Sequence, residues 1–442
     1  MKYLKEDIIS LVEENDVKFI RLQFTDIFGN VKNLAITESQ LEKALERGCS
    51  FDGSSIEGFV RIEESDMYLM PDVDTFEILP WESHQGNIAR MICDVYTVDG
   101  KPFEGDPRYI LKKVIKQAEE MGYTFNVGPE CEFFLFHTDD EGKPTTKTHD
   151  NAGYFDLGHI DLGEEARRDM CIALEKMGFE IEASHHEGAG GQHEIDFKYD
   201  NVLNTADNII TFKSVVKTIA QSHGLHATFM PKPISGISGS GMHINMSLSK
   251  NNKNVFYDSN DEYSLSSEAY NFIAGILKHI KGMTIITNPL VNSYKRLVTG
   301  YEAPMYLSWS PKNMSPLIRI PFAREDTTRL ELRNPDPSCN PYLVLALCLA
   351  AGLDGIKNKL QAPKSIEKNL YEMTDDERIS QGIESLPLDL NGAIEEFKKD
   401  PFLKEVLGEH VYNVYLEAKK IEWKNYRAEV HNWEVEQYLS KF

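Results

Sequence analysis

The amino-acid sequence predicts an α+β protein in two parts, a small mixed unit followed by a larger part. Strand and helix patterns are interleaved over roughly the first 100 residues. The segment Lys-Pro-Phe-Glu-Gly-Asp-Pro at 101–107 then interrupts the pattern. Beyond it, long helical patterns alternate with short strands that carry charged side chains on one face. We therefore expect one domain over residues 1–104 and a second over residues 105–442.

Composition limits the classes of partner. The chain of 442 residues contains 41% hydrophobic and 26% charged residues, which is typical of a globular protein with a sizeable core. Its formal net charge is -23 at pH 7. Because nucleic acids and anionic membranes bind basic surfaces, we expect neither as a partner, whereas this charge favours the binding of cations.

Cysteine usage and hydropathy indicate the compartment. The six cysteines lie far apart and form no Cys-x-x-Cys pair, which is typical of reduced thiols. The first residues contain no apolar signal core, and no stretch approaches the roughly 18 apolar residues of a membrane span. We therefore expect a cytoplasmic protein without a membrane segment.

The first part is predicted to begin with a helix at 4–14. A second helix is predicted at 37–48, because a Thr-x-x-Gln capping pattern begins at Thr37 and Gly48 follows the last helical residue. The other expected elements are strands at 17–24, 31–36, 75–79 and 88–96, a polar turn at 51–55 and a charged loop at 58–66.

The second part is predicted to begin with a helix that Asp106 caps, with Pro107 at its first position and Gly122 at its end. The stretch 408–440 is aromatic and helical in pattern, which suits a docking arm, a subunit contact or core. Further helices are expected at 163–177, 204–222, 266–281 and 340–358.

The densest group of polar side chains lies at 182–196, around a Gly-Ala-Gly-Gly turn. This stretch contains four acids and three histidines. Glu187 and Glu194 stand on either side of the turn, so two extended segments would bring their carboxylates together. A solvated hairpin with scattered charge explains the stretch equally well when it is considered alone.

Three further segments carry polar side chains on one face of a predicted strand, because side chains alternate across a strand. Each segment alone suits a half-exposed strand. If their apolar faces pack under helices, the polar faces line one concave surface together with Glu187 and Glu194. The residues that share a face are Glu130 with Glu132, His243 with Asn245 and Ser247, and Arg329 with Glu331 and Arg333.

This surface would hold five glutamates and one histidine, a set that needs cations. Neighbouring carboxylates raise one another's pKa and are costly to bury unless cations neutralise them. Oxygen-rich ligands with a single imidazole suit Mg²⁺ or Mn²⁺ better than zinc. Metals held by acids and facing arginines indicate phosphoryl transfer. The candidate arginine clamps for carboxylate or phosphate are Arg296, Arg319, Arg324, Arg329 and Arg333.

Several long motifs resemble those of glutamine synthetase, bacterial type I. They are Phe-Asp-Gly-Ser-Ser, Gly-Pro-Glu-x-Glu-Phe-Phe, His-His-Glu, Gly-Ser-Gly-Met-His, Asn-Ser-Tyr-Lys-Arg-Leu with Gly-Tyr-Glu-Ala-Pro, and Ile-Arg-Ile-Pro followed by Arg-x-Glu-x-Arg. They occur in the family's order over nearly the whole chain. The loop Gly-Phe-Val-Arg-Ile-Glu-Glu-Ser-Asp at 58–66 is similar to that of the alpha subtype.

The resemblance implies a reaction and an architecture. ATP would phosphorylate the side-chain carboxylate of glutamate, and ammonia would then displace phosphate from γ-glutamyl phosphate to give glutamine. The small domain would be β-grasp-like, and the large catalytic domain would contain a curved, mostly antiparallel sheet. The implied assembly is a dodecamer of two stacked hexameric rings with active sites between neighbours, in which the C-terminal arm contacts the opposite ring.

The resemblance also implies residue roles. Glu132, Glu187 and Glu194 would hold one Mg²⁺ or Mn²⁺, and Glu130, His243 and Glu331 the other. Glutamate would bind Arg296, Arg333 and the flap residue Glu302, with Gly239 near its amino group. Strand alternation places Tyr199 on the face opposite Glu194, so its contact with adenine rests on the resemblance alone. The residues implied for ATP are Glu182, Tyr199, Ser247, Arg319 and Arg329.

Ammonium would bind a negative pocket that two subunits share. Asp52 and Ser55 of a neighbouring subunit would form it with Tyr154 and Glu187. Asp52 would take a proton from ammonium, and Glu302 would shield the acyl phosphate from water. Without the resemblance, Asp52 is simply a turn-forming Asp before Gly.

The resemblance also implies a regulatory residue, and some positions differ from the family's usual pattern. Arg61 would mediate feedback inhibition by glutamine, and nitrogen-regulatory proteins are possible partners. Tyr371 stands where some relatives are adenylylated, but it is better explained as a structural aromatic. Met314 replaces an arginine that the family usually directs at the transferred phosphate, and Arg324 or Lys312 are candidates to compensate.

Two other functions remain open. A related ligase that joins glutamate to a larger amine is kept open by Met314, while the complete set of ammonium residues argues against it. A poorly active relative that senses nitrogen status is the third candidate, and the intact set of metal ligands argues against it.

Overall fold

Two β-sheets, each packed on its own apolar core, organise the chain. The structure, a computed structural model, describes residues 3–58, 66–81, 85–298, 300 and 303–442. The first sheet has the strand order β2-β1-β6-β4-β3, with β5 paired to β6. Its elements are α1 (Lys5–Glu14), β1 (Val17–Thr25), β2 (Val31–Thr37), α2 (Leu41–Arg47), β3 (Cys49–Asp52), β4 (Asp66–Pro71), β5 (Glu77–Ile78) and β6 (Asn87–Thr97).

The second sheet follows the order β15-β16-β17-β13-β7-β10-β9, with four short strands paired to its sides. All its pairs are antiparallel except that of β15 with β16. Its strands are β7 (Thr124–Thr138), β8 (Pro144–Thr148), β9 (Ile181–His186), β10 (Gln192–Phe197), β11 (Asp200–Asn201), β12 (Leu225–Thr228), β13 (Met242–Lys250), β14 (Lys253–Asn254), β15 (Trp309–Ser310), β16 (Ile318–Arg319) and β17 (Leu330–Leu332).

Helices cover one face of this sheet. Apolar side chains of β7 and β13, such as Phe133 and Ile244, are fully buried with Phe212 and Leu345 from two of these helices. The opposite face carries polar side chains together with a smaller buried cluster that includes Phe134 and Phe136. The helices are α3 (Pro107–Glu120), α4 (Glu164–Lys176), α5 (Val202–Ser222), α6 (Ser267–Thr287), α7 (Ser293–Arg296), α8 (Pro341–Lys357), α9 (Asp375–Ser380), α10 (Leu390–Lys399), α11 (Pro401–Ala428) and α12 (Asn432–Tyr438).

The predicted α+β class is confirmed, and α3 begins as expected. Asp106 accepts a hydrogen bond from the backbone N–H of Arg108, and Pro107 occupies the first helical position. Gly122 follows the helix end with φ +83°, a backbone conformation that favours glycine. No helix among the described residues is both long enough and apolar enough to span a membrane.

Three predicted elements of the first part are wrong in their bounds. The helix expected from Thr37 begins with a 3₁₀ turn over Glu38–Gln40, and α2 starts only at Leu41. The cause is that Thr37 is the last residue of β2 and its side chain caps nothing. The strand expected at 75–79 is limited to Glu77–Ile78.

The range predicted for the charged loop, 58–66, is also too long, because its last residue belongs to a strand. Asp66 opens β4, a strand that the sequence pattern did not predict, and β4 lies between β3 and β6 in the first sheet. Residues 59–65, which include Arg61, lie outside the described residues.

The C-terminal stretch divides into two helices. The first, α11, begins before the predicted stretch, and Gly408 interrupts it with φ +80°. Leu403, Val411 and Tyr415 of α11 are buried in the core of the second sheet. The second, α12, has no buried residue, and Trp433 is 61% exposed. Core packing therefore accounts for α11, and α12 lies outside the core.

A buried ion-pair network joins the two sheets. The guanidinium of Arg108 contacts Asp72 and Asp94, each at 2.8 Å, from the first part of the chain. It also donates two hydrogen bonds to Asp207 of α5, at 3.0 and 2.9 Å. The hydroxyl of Tyr342 donates to the same carboxylate at 2.7 Å. Arg108 is 3% exposed, so these carboxylates are what keeps its charge stable inside the protein.

Candidate active site

One face of the second sheet collects acids from two neighbouring strands, β7 and β10, and a histidine from a third, β13. The antiparallel register of β7 and β10 places Glu194 beside Glu132 and Asp196 beside Glu130. The register of β7 and β13 places His243 beside Glu130. The alternation predicted from the sequence therefore brings these side chains to one surface.

Glu130, His243 and Glu331 form the first group of possible metal ligands. One ligand atom from each lies within 4.8 Å of the others. His243 Nδ1 is 3.2 Å from Glu130 Oε2 and 3.7 Å from Glu331 Oε1. Asn245 donates to Glu130 Oε1 at 2.8 Å. Burial alone would raise the pKa of Glu130, but the hydrogen bonds from His243 and Asn245 lower it to about 2.

Two arginines hold the third member of this group. Arg319 donates to Glu331 Oε2 at 2.7 Å, and Arg333 donates to Glu331 Oε1 at 3.1 Å. Glu331 and Arg333 are 1% and 2% exposed, so this pair is buried, while Arg319 keeps about a third of its side chain in solvent. Arg319 therefore reaches both the acid group and the open side of the site.

A second group lies at the β9–β10 hairpin, which folds back at the Gly-Ala-Gly-Gly turn as the sequence indicated. It consists of His185, Glu187 and Glu194. His185 Nδ1 is 3.5 Å from Glu187 Oε1, and His185 Nε2 is 3.8 Å from Glu194 Oε2. The sequence reasoning did not select His185, although hairpin pairing places it directly opposite Glu194.

Glu132 lies beside this second group but has its own partners. Its Oε2 accepts hydrogen bonds from the side chain of Gln192 at 2.9 Å and from the backbone N–H of Gly241 at 2.8 Å. Burial raises the pKa of Glu132, and it raises that of Glu194 to about 12 with the help of the Glu132 carboxylate. Burial also raises the pKa of Asp196 to about 7. The acids therefore form a site in which bound cations would be strongly favoured.

A cavity of about 710 Å³ adjoins the first group of ligands, and Glu130 belongs to its wall. Its size is in the range of small-molecule and cofactor sites. Four of the five residues expected to contact ATP line this cavity, namely Glu182, Tyr199, Ser247 and Arg329. A slightly larger cavity of about 760 Å³ beside α2 lies on the first sheet, away from these acids.

Tyr199 corrects the argument from strand alternation. That argument placed Tyr199 on the face opposite Glu194, but β10 ends at Phe197. Alternation no longer applies beyond this point, and Tyr199 lies on the wall of the cavity with 56% of its surface exposed. An exposed aromatic ring in such a wall is suited to stacking on a planar base.

The segment 231–241 passes close to the acids and packs without space for side chains at two glycines. A Cβ atom at Gly239 would lie 2.2 Å from the carbonyl oxygen of Pro231, and one at Gly241 would lie 2.5 Å from Arg296 Nη2. Arg296 is 4% exposed and donates to the carbonyl oxygens of Asn334 and Arg333 at 2.8 and 3.2 Å. Of the expected glutamate-binding residues, Arg296 thus contacts the backbone of Arg333 and lies beside Gly241, two residues after Gly239.

The expected ammonium residues lie in different places. The ring of Tyr154 stacks on Phe155 at 4.1 Å and meets His185 edge-on at 5.5 Å, so it borders the second group. Asp52 lies on the first sheet, where its carboxylate accepts hydrogen bonds from the backbone and hydroxyl of Ser54, which lower its pKa. Ser55 closes the same short turn. Glu302 lies outside the described residues.

Arg324 and Lys312, the two candidates to replace the charge that Met314 lacks, both have other partners. Met314 is 56% exposed, and its carbonyl oxygen accepts a hydrogen bond from Arg333. Arg324 donates to the carbonyl oxygen of Tyr263 at 3.1 Å, and Lys312 pairs with Glu367 at 3.0 Å. Tyr371 donates from its hydroxyl to the carbonyl oxygen of Ala303 at 2.9 Å, which agrees with a structural aromatic.

A third cluster of polar side chains, around Asp150 and Arg167, contacts the β9–β10 hairpin. Asp150 Oδ1 accepts from the backbone N–H of Gly191 at 2.9 Å and lies 3.1 Å from His186 Nε2. Arg167 donates to Asp161 at 2.7 Å and to His193 Nδ1 at 2.8 Å. Because a guanidinium already supplies the positive charge here, this cluster is explained as a hydrogen-bonded support for the turn.

The acid-lined sheet and the adjoining cavity define a metal-binding, nucleotide-using enzyme. Family models identify the two parts of the chain: residues 16–98 match the glutamine synthetase beta-Grasp domain, and residues 104–438 match the glutamine synthetase catalytic domain. The chain belongs to the glutamine synthetase family. It is accordingly a ligase whose reaction is ATP-dependent glutamine formation, and the resemblance noted in the sequence is confirmed.

Individual relatives are similar to this chain over nearly their full length. The chain is 65% identical over 441 residues to glutamine synthetase from Clostridium saccharobutylicum, with 100% of both chains covered. It is 57% identical to glutamine synthetase from Staphylococcus aureus, with 100% and 99% covered. Among solved structures, a GmaS/ADP complex matches with a TM-score of 0.90 at 31% identity and 100% coverage of both chains. Plasmodium falciparum glutamine synthetase matches with a TM-score of 0.88 at 28% identity and 99% coverage of both.

Proposed function

We propose that the acid face of the second sheet is the catalytic centre, where ammonia is joined to L-glutamate through γ-glutamyl phosphate. The observation that carries this proposal is the arrangement of the ligand groups. Glu130, His243 and Glu331 lie next to the cavity that Tyr199 and Arg329 line, and the hairpin acids lie across the same surface. A nucleotide in the cavity could therefore direct its terminal phosphate towards both ligand groups.

The ligand groups fit divalent cations. Carboxylate oxygens predominate and each group contains one imidazole, which suits Mg²⁺ or Mn²⁺. We assign one ion to Glu130, His243 and Glu331 and another to Glu132, Glu187 and Glu194, with His185 as a further candidate beside the second. Such ions would neutralise charge on the phosphates of ATP.

The arginines and Gly239 orient glutamate and the phosphoryl group. Arg296 and Arg333 are buried, with Arg296 beside Gly241, and both would receive carboxylate charge of the substrate, while the carbonyl oxygen of Gly239 would accept from its amino group. Arg319 would stabilise the transferred phosphoryl group from the open side of the site. Arg329, Ser247 and Glu182 would contact ATP, and Tyr199 would stack on adenine.

We assign ammonium to a pocket shared between subunits. Asp52 and Ser55 of a neighbouring subunit would face Tyr154 and Glu187, and Asp52 would accept the proton that ammonium loses. Its pKa is already low, so Asp52 carries the negative charge that attracts ammonium. Glu302 would cover the acyl phosphate and exclude water.

A site that takes Asp52 and Ser55 from a neighbouring subunit requires an oligomer. We propose that residues 1–104 act as a domain that completes the active site of the next subunit, and that residues 105–442 form the catalytic domain. A dodecamer of two hexameric rings would satisfy both conditions, with the exposed aromatic side chains of α12 contacting the opposite ring. Nitrogen-regulatory proteins are proposed as further partners, and the cytoplasm as the compartment.

Feedback inhibition is assigned to Arg61. We expect Arg61→Ala to form glutamine at the wild-type rate and to resist inhibition by added glutamine, because the guanidinium would transmit the inhibitory contact. Initial rates measured against a glutamine series check this. A variant that is inhibited as strongly as the wild type would remove Arg61 from the regulatory mechanism.

The experiment that tests the proposed reaction measures phosphate release by purified protein with ATP, Mg²⁺ and glutamate. Ammonium is compared with a panel of larger amines, because the uncharged and exposed Met314 is the feature that favours a ligase for another amine. Release with ammonium alone supports the proposal and shows that Met314 is tolerated. Release that depends on a larger amine would replace ammonia as the substrate, and no release with any amine would favour a sensor.

A further inference from the structure

Gln192 is a buried amide on the same face as the acids. It is the first residue of β10 and is only 1% exposed. Its backbone closes the hairpin turn, since its N–H donates to Ala189 at 2.9 Å and its carbonyl oxygen accepts from the N–H of Glu187 at 2.8 Å. The side chain therefore projects into the site from a firmly held backbone.

The amide nitrogen of Gln192 connects two parts of the site. It donates to Glu132 Oε2 at 2.9 Å and to the carbonyl oxygen of Gly239 at 3.2 Å. Both partners are acceptors, so the nitrogen and not the oxygen of the amide must face them. One side chain therefore contacts both a candidate metal ligand and the carbonyl group assigned to the amino group of glutamate.

The oxygen of the same amide has no hydrogen-bond partner among the described residues, although it is buried. A buried acceptor without a donor lowers stability, so this amide is not explained by its contribution to the fold. An apolar side chain of similar length would fill the space without that penalty. What a glutamine provides here, and an apolar side chain would not, is the pair of hydrogen bonds that the amide nitrogen donates.

These hydrogen bonds constrain both partners. Glu132 Oε2 accepts from Gln192 and from the backbone N–H of Gly241, so both donors occupy one oxygen and leave Oε1 for another ligand. Gly239 lies in the segment 231–241, where the N–H of Ser240 donates to the carbonyl oxygen of Pro231 at 2.9 Å. Gln192 is the side chain that fixes this segment to the sheet at Gly239.

We propose that Gln192 is a positioning residue of the glutamate subsite, which holds the carbonyl oxygen of Gly239 in register with the carboxylate of Glu132. The inference rests on the proposed function, in which Glu132 holds a cation and Gly239 meets the amino group of glutamate. Gln192 does not need to touch the substrate. It sets the distance between the group that binds the amino acid and the group that binds the cation.

The test replaces Gln192 with methionine, which has a similar length but no donor. We expect Gln192→Met to raise the KM for glutamate about tenfold and to weaken Mn²⁺ binding, measured by electron paramagnetic resonance, several-fold, because each lost hydrogen bond costs a factor of this order. The KM for ATP should change less than about twofold, since no contact joins Gln192 to the described cavity wall. The melting temperature should stay within a few degrees of the wild type, because the unpaired oxygen is removed as well.

Matched variants separate positioning from packing. Gln221→Met lies on the exposed surface of α5 and should behave as wild type in every measurement. Gln192→His keeps an N–H at similar reach and should recover most of the glutamate affinity. Gln192→Asn carries the same amide on a shorter side chain that cannot reach, so it should lose glutamate affinity as the methionine variant does. This comparison remains informative even if Gln192→Met does not fold.

Two results would overturn the proposal. One is a glutamate KM and Mn²⁺ affinity in Gln192→Met or Gln192→Asn equal to those of the wild type. The other is an equal loss in the histidine, methionine and asparagine variants, which would indicate packing alone. The wild-type assay with ammonium is run beside them, so failure of the proposed reaction appears in the wild type and failure of this inference appears only in the variants.

Discussion

At Glu194, burial among other acids disfavours the charged form of the side chain. Glu194 is 7% exposed, and its neighbours Glu132, Asp196, Glu187 and Glu130 are all acids. Burial and these charges raise its pKa from 4.5 to about 12, so without a cation Glu194 holds a proton at neutral pH. The folded protein must take up that proton, which the unfolded chain does not hold at pH 7, and this uptake lowers stability.

Glu194→Gln is therefore expected to stabilise the protein when metals are removed by a chelator. The gain should be on the order of 1 to 3 kcal/mol at pH 7, because glutamine resembles the protonated acid without requiring proton uptake. The contribution of Glu194 to stability falls as pH rises above 4.5, so the advantage of the variant should grow from pH 5 to pH 8. Thermal unfolding in a chelator at both pH values checks this.

Two controls sharpen that measurement. Addition of Mn²⁺ should raise the melting temperature of the wild type more than that of Glu194→Gln, since the variant lacks a ligand charge. Glu331→Gln should behave in the opposite way and destabilise the metal-free protein, because it leaves the buried guanidinium of Arg333 without its carboxylate. Equal melting temperatures for all three proteins in a chelator would contradict this account of the acids.

Among the elements, the segment 231–241 is the one proposed to meet the amino group of glutamate. We expect Gly239→Ala to raise the KM for glutamate by at least about tenfold, because its Cβ would lie 2.2 Å from the carbonyl oxygen of Pro231 and the segment must move. Binding of ADP, followed by calorimetry, should be unchanged, because the segment forms no part of the described cavity wall. Loss of both affinities together would indicate unfolding and not displacement of the segment.

Local periodicity predicted most of the elements and the faces that they present. Alternation alone placed Glu130 and Glu132 on one face, and the helix after Asp106 began as its capping residues indicated. Alternation failed at Tyr199 because it says nothing about where a strand ends. It also failed to identify His185, since that contact depends on which residues pair across the hairpin.

Contacts between distant segments were not accessible to the same reasoning. No pattern links Gln192 to Gly239, because their contact arises only when the segment 231–241 folds over β10. Thr37 shows the same limit at an element boundary. Its capping pattern is a genuine local signal, but pairing of β2 with β1 holds Thr37 in the sheet and delays the helix to Leu41.

At the scale of the whole molecule, the position of Asp52 has a consequence for assembly. Asp52 belongs to the first sheet, whereas the acids lie on the second. If subunits share sites, coexpression of Asp52→Asn with Glu194→Gln should regain roughly a quarter of wild-type activity, because some sites combine an intact residue from each chain. Each variant alone should be inactive. Mixed assemblies that remain inactive would place both residues in the same subunit's site.

The network around Arg108 bears on whether the two parts of the chain can exist separately. A fragment that begins at residue 105 would retain Arg108 and Asp207 but would lose Asp72 and Asp94. The complementary fragment would keep those two carboxylates close together without the guanidinium that neutralises them. The segment 101–107 therefore joins two parts of the chain that share a buried charge network, and cutting the chain there would leave the charged groups of each part without their partners.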